Sequence, residues 1–156
     1  MDYKRILVAA LFVMFISLII HTAGSFLDMD YYTNSENFSL WSNIMMPDIG
    51  PPGIEVYGLS LVFGLITGLI FTIFYILIAK TIRQKTVLKT GLFYGILLFI
   101  LTQIPMIFSM FLLFAIPIGL LLSWVLQSLI IAMISGVGIV YIVRYTCKFN
   151  DVGSLG

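Results

Sequence analysis

The sequence predicts an all-α integral membrane protein, a bundle of four transmembrane helices with both termini cytoplasmic. Three observations carry this prediction. Hydrophobic residues make up 61% of the 156 and charged residues only 10%, with a mean hydropathy of +1.13. A soluble domain of this size cannot cover so much apolar surface, so the bilayer must be the solvent. The apolar residues also fall into long runs broken by short polar segments, and the basic residues fall only in some of those segments.

The first run, residues 6–27, follows Lys4 and Arg5 and is 22 residues long. As a helix it extends about 33 Å, enough to span. A cleaved signal peptide is the competing reading, with Thr22 and Gly24 as small residues near a cleavage site, but the apolar core is longer than such peptides carry. An uncleaved anchor is expected. Residues 28–53 form a polar loop. The second run, 54–79, starts after the breakers Gly50-Pro51-Pro52-Gly53 and ends at Lys80. A basic loop over 80–89 holds Lys80, Arg83, Lys85 and Lys89. From Thr90 to Val143 the chain is apolar for 54 residues, about twice what one crossing needs. Pro117 and Gly119 supply turn chemistry for a reversal, giving spans over 90–113 and 119–143 within one membrane domain, 1–156.

Four spans place Lys4 with Arg5, the 80–89 loop, and Arg144 with Lys148 on one side. These are all eight basic residues. The positive-inside rule makes that side cytoplasmic, so both termini face in and the 28–53 loop faces out. Residues 21–58 hold five of the seven acids (Asp28, Asp30, Glu36, Asp48, Glu55), the single histidine, and no lysine or arginine.

Depth counting from the basic ends yields a candidate site. His21 lies 16 residues past Arg5, Gln103 14 past Lys89, Gln127 17 before Arg144, and Gly64 16 before Lys80. At the helical rise, all four fall about 21–26 Å from the inner edge. His21, Gln103 and Gln127 can thus share a polar layer in the outer leaflet, with Trp41 in the loop above as a further ligand contact. One reading is a binding site for a headgroup, quinone or small polar ligand. The other is interhelical hydrogen bonding that fixes packing.

Gly64 with Gly68, and Gly91 with Gly95, form GxxxG pairs that let helices approach closely, within one chain or between copies. Gly136 on the last span lies near the depth of Gly95, and Pro105 is expected to kink the third span. Close contact on the inner side and a kink on the outer side would open a cavity away from the cytoplasm.

Several chemistries are disfavoured. Cys147 is the only cysteine, which excludes an internal disulfide and paired-thiol redox chemistry such as that of four-helix disulfide oxidases. No run carries a carboxylate, lysine or arginine between its ends, which argues against proton-coupled export and intramembrane proteolysis. Asp28-x-Asp30 lacks the glycine and spacing of a calcium loop, so a solvated acidic turn is expected and no metal or cofactor is implied. Tyr31, Tyr32, Phe38 and Trp41 are interfacial residue types. Ser39–Met46 reads as a short amphipathic turn, either a membrane anchor or a lid over the polar layer. Asn37-Phe38-Ser39 fits a glycosylation sequon, and Cys147 could accept a lipid.

Asp30-Tyr31-Tyr32, Leu40-Trp41 and Met46, in a four-span layout, resemble small prokaryotic membrane proteins of domain-of-unknown-function families. In those, a tyrosine-rich acidic segment and a leucine–tryptophan pair follow the first helix. They often carry Arg-Pro after the tryptophan, where this chain has Ser42-Asn43. The resemblance implies a prokaryotic plasma membrane and no particular activity. The expected function is non-enzymatic: an accessory or binding protein with an outward loop and an outer-leaflet site for a lipid or small ligand. Its expected partners are the lipid bilayer and either another membrane protein or further copies of itself, with no nucleic acid. The alternatives are a small oligomeric channel or transporter and, third, a membrane enzyme.

Overall fold

The structure, a computed structural model, describes residues 3–42, 45, 54–82 and 86–145, and all regular structure among them is helical. The elements are α1 (Tyr3–Leu27), α2 (Met29–Thr33), a 3-10 turn (Ser35–Leu40), α3 (Ile54–Ile78), α4 (Val87–Leu98), a π-turn (Phe99–Gln103), α5 (Ile104–Leu113) and α6 (Ile118–Tyr145). Four helical segments are long and apolar enough to cross a membrane: Tyr3–Leu27, Ile54–Ile78, Val87–Leu113 and Ile118–Arg144. The first begins three residues earlier than the sequence suggests, because Tyr3, Lys4 and Arg5 extend the helix through polar positions that hydropathy leaves out. The breakers at 50–53, Met46, Arg83, Lys85, Cys147 and Lys148 lie outside the described residues.

The chain packs in the order α3, α1, α6, α4. Small residues set both close seams. On α3, a Cβ added at Gly68 would lie 2.5 Å from the carbonyl oxygen of Ala10 and 2.8 Å from its Cα, and one at Gly64 would lie 3.2 Å from Met14 Cγ. On α4, a Cβ at Gly95 would lie 2.5 Å from the carbonyl oxygen of Ala132, and one at Gly136 of α6 would lie 2.6 Å from the amide nitrogen of Gly95. Gly91 faces the backbone of Val137. In lipid, where no hydrophobic effect drives helices together, such backbone approach supplies the dispersion contact that does. Both GxxxG pairs are therefore used within one chain. Gly138 sits against the ring of Phe12 on α1.

The core lies in the half of the bundle nearer the basic residues, around Ala9, Val13, Tyr75, Tyr94, Leu98, Ile139 and Val140. Here α3 and α4 meet through side chains. The Tyr94 hydroxyl donates to the Phe71 carbonyl, its ring lies 5.1 Å from that of Tyr75, and Arg144 Nε donates to the Tyr75 hydroxyl at 3.2 Å.

Toward the other end the third span separates. Pro105 has no N–H, so the helical ladder cannot run through it unchanged. The chain takes one wide turn over Phe99–Gln103, in which Ile104 N–H donates to the Phe99 carbonyl. Thr102 Oγ1 donates to the Leu98 carbonyl at 2.8 Å. Beyond the turn, α5 has no buried residue and touches α6 only sparsely. An open apolar groove between them is lined by Ile107, Phe111, Leu121 and Val125.

Candidate functional site

At the acidic end, two matched pairs of residues bring α1 and the start of α2 against α6. Gly24 and Asp28 are one turn apart and follow one face of α1; Ser123 and Gln127 are one turn apart on α6. A side chain at Gly24 would overlap the Gln127 amide, so the glycine is what lets that amide lie on the α1 backbone. Gln127 Nε2 then donates to Asp28 Oδ2 at 3.0 Å and lies 3.1 Å from Ser123 Oγ, which itself donates to Asp28 Oδ2 at 3.0 Å.

Asp28 is only 4% exposed, which corrects the expectation of a solvated acidic turn. Counting hydropathy treats a charge at a helix end as wet. The Gly24 vacancy and the two α6 donors draw it inside instead. Asp28 occupies the N-cap position of α2, yet its side chain makes no capping hydrogen bond. An aspartate there usually contributes about 1 kcal/mol by capping, and this one turns toward α6 instead. Both donors use Oδ2. Among the described residues Oδ1 has no hydrogen-bond partner and no basic side chain is paired with the carboxylate.

Two residues of the loop, Tyr31 and Trp41, pack against α6 at this end. The Tyr31 hydroxyl sits against Gly119 in the first turn of α6, where any side chain would displace it. Asn37, the sequon asparagine, donates from Nδ2 to the Tyr31 carbonyl at 3.0 Å and so fastens the 3-10 turn. The Tyr32 hydroxyl lies near Trp124 and Ser25. Burial raises its pKa from the ordinary 10.0, and the charge of Asp28 adds to the rise. The Trp41 ring lies 4.9 Å from that of Tyr32 and 6.4 Å from that of Trp124. Its indole N–H is buried and has no hydrogen-bond partner. Of the expected amphipathic turn over Ser39–Met46, the structure describes a 3-10 turn ending at Leu40, a bend at Trp41 and a hydrogen bond from Met45 N–H to Ser42, while Asn43, Ile44 and Met46 lie outside the described residues.

Of the sequence-predicted residues, Gln127 lies in the seam, and His21 sits exposed on α1 with its imidazole near the Gln127 amide. Trp41 covers the same end. Gln103 is not joined to them by a hydrogen bond; its amide reaches only the neighbouring Thr102 hydroxyl, at 3.5 Å. Depth counting gives height along a helix and says nothing of which way a side chain faces, and the π-turn changes that direction for Gln103. Sequence reading missed Asp28, Ser123, Gly24 and Trp124. The signal available was the pair of matched four-residue spacings, Gly24 to Asp28 and Ser123 to Gln127.

The site offers one buried carboxylate, neutral donors and three aromatic rings. No protein-family model matches the chain, and neither a curated protein nor a solved structure is similar to it.

Proposed function

We propose that this is a non-enzymatic binding or accessory protein of the prokaryotic plasma membrane, N-in and C-in, that holds a lipid or small amphiphile at an outer-leaflet site between α1 and α6. The observation that carries the reading is the buried Asp28 carboxylate, held by Ser123 and Gln127 at the same end of the bundle as the ring cluster of Tyr32, Trp41 and Trp124. Its placement supports a ligand of the membrane surface. Asp28 follows the last residue of α1, and Ser123 and Gln127 lie about 7.5 and 13.5 Å inside α6 at the helical rise. That interval runs from the headgroups into the first part of the hydrocarbon. The segregation of all eight basic residues away from the 21–58 segment supports the outward orientation.

Native mass spectrometry of the protein released from mild detergent tests this. A lipid or amphiphile retained at a stoichiometry of one, and lost in Gln127→Leu, is the expected result; no bound species across several detergents overturns the reading. The splaying of α5 gives one specific reason to keep a transport reading beside it. Solute flux in proteoliposomes that disappears in Gln103→Leu, with no retained lipid, would favour that second reading.

A further inference from the structure

Gln103 is a polar side chain left without a good partner inside the hydrocarbon. Counted along the helix from Lys89, it lies about 21 Å from the inner edge of a layer about 30 Å thick. Its one hydrogen bond among the described residues is the 3.5 Å contact from Nε2 to the Thr102 hydroxyl, at the outer limit for such a bond. Its Oε1 accepts no hydrogen bond from the described residues and is not enclosed by them. Ile100 and Met106, three residues to either side, are 49% and 48% exposed, so this face of the third span looks out of the bundle. The wide turn adds a second acceptor beside it. Ile104 N–H donates to Phe99 and Pro105 has no N–H, so the Ile100 carbonyl loses the amide donor that a regular helix would give it. Lipid tails offer no donor to either oxygen, and an amide left unpaired among them is costly.

We infer that the outer face of the third span around Gln103 is where a second copy of this chain docks, with the two Gln103 carboxamides paired across a two-fold axis. Two features commit the face to a second copy. A carboxamide carries both donor and acceptor, so it is its own complement, as a two-fold contact requires. Copies inserted in the same orientation also carry Gln103 at the same depth, so an axis along the membrane normal sets one amide opposite the other. A partner of different sequence would have to supply its own polar group at that height. Each Nε2 donates to the other copy's Oε1, which leaves a second N–H for the Ile100 carbonyl. The glycine pairs do not compete for this role, because Gly64 and Gly68 are taken up by α1, and Gly91 and Gly95 by α6, of the same chain. The face is open to a helix, since no residue of α5 is buried. The docking is independent of the Asp28 seam.

The test uses the full chain, labelled once at its N-terminus, reconstituted in liposomes over a range of protein-to-lipid ratios and counted by single-molecule photobleaching. The wild type is expected to bleach in two steps when concentrated and to shift to one on dilution with lipid. Gln103→Leu is expected to weaken association by about threefold for each of two reciprocal hydrogen bonds, and so by roughly tenfold together. In a Cys147→Ser background, Met106→Cys is expected to give a disulfide-linked dimer under mild oxidant, whereas Ile66→Cys, on the exposed face of α3, is not. A wild type that bleaches in one step at every ratio, or in more than two, overturns the inference even if Gln103→Leu does not fold. A folded Gln103→Leu that associates as tightly as the wild type also overturns it. So does a dimer that links through Ile66→Cys or fails to link through Met106→Cys. None of these outcomes bears on lipid retention at Asp28, which is read separately.

Discussion

Replacing Gly95 by alanine tests how the bundle is held together. The new Cβ would lie 2.5 Å from the Ala132 carbonyl oxygen and 2.8 Å from Met133 Cα, whereas ordinary contact begins at 3.4 Å. The shortfall against the carbonyl is 3.4 − 2.5 = 0.9 Å. Because the obstructing atoms are backbone, no rotamer relieves it, and α4 and α6 must part along the seam that also holds Gly91 and Gly136. Overpacking of this kind costs about 1–3 kcal/mol, against which alanine recovers about 0.5–1 kcal/mol of helix propensity. The net expectation is a loss of about 1–2 kcal/mol. Gly58→Ala is the control: nothing lies within 4 Å of its added Cβ, so only the propensity gain applies. Reversible unfolding of the purified protein in mixed micelles, followed by circular dichroism, reads the difference. If Gly95→Ala proves as stable as Gly58→Ala, the α4–α6 seam is not the close contact described. Gly136→Ala acts on the same seam, so combining it with Gly95→Ala should give less than the sum of the two losses.

Three further outcomes follow from the acidic end. Asp28→Asn keeps an acceptor for Ser123 and Gln127 and removes an uncompensated charge, so its stability stays within about 1 kcal/mol of the wild type or rises. Asp28→Ala strands both donors and costs about 1–3 kcal/mol, and equal losses in the two variants would make the carboxylate structural. Tyr32 has its pKa raised above 10.0, so its neutral form is favoured in the fold; this contribution is complete below pH 10.0 and fades as pH climbs through the raised value. The phenolate absorbance missing from Tyr32→Phe should therefore appear only above that pH, and its appearance below it would show that the hydroxyl is not buried. Finally, in a Cys147→Ser background, an impermeant maleimide added to intact cells should label Ser35→Cys and leave Thr81→Cys unlabelled. The reverse pattern would invert the topology.

The helices were legible because a run of more than 20 apolar residues has few alternatives in a chain this hydrophobic, and the kink because proline forces one. The roles of Gly68 and Gly95 were legible in kind, though only the structure says that Ala10 and Ala132 are what they approach. The site was legible in part. Gln127 and Trp41 stand out as polar or interfacial residues against an apolar ground. Asp28 does not, because a single acid after a helix reads the same whether water or a neighbouring helix receives it. What decides its burial is Gly24 making room for Gln127, a relation between two helices 99 residues apart at the Gln127–Asp28 bond. Trp124 and Ser123 were hidden for the same reason, since nothing local distinguishes an α6 residue facing α1 from one facing lipid.

If the α1–α6 seam around Asp28 receives a ligand from the membrane surface, electron cryomicroscopy of the protein in lipid nanodiscs should show an ordered lipid or amphiphile headgroup beside Asp28, Ser123 and Gln127. A seam at which the same side chains meet with no ligand density in a lipid-filled nanodisc would contradict the binding role.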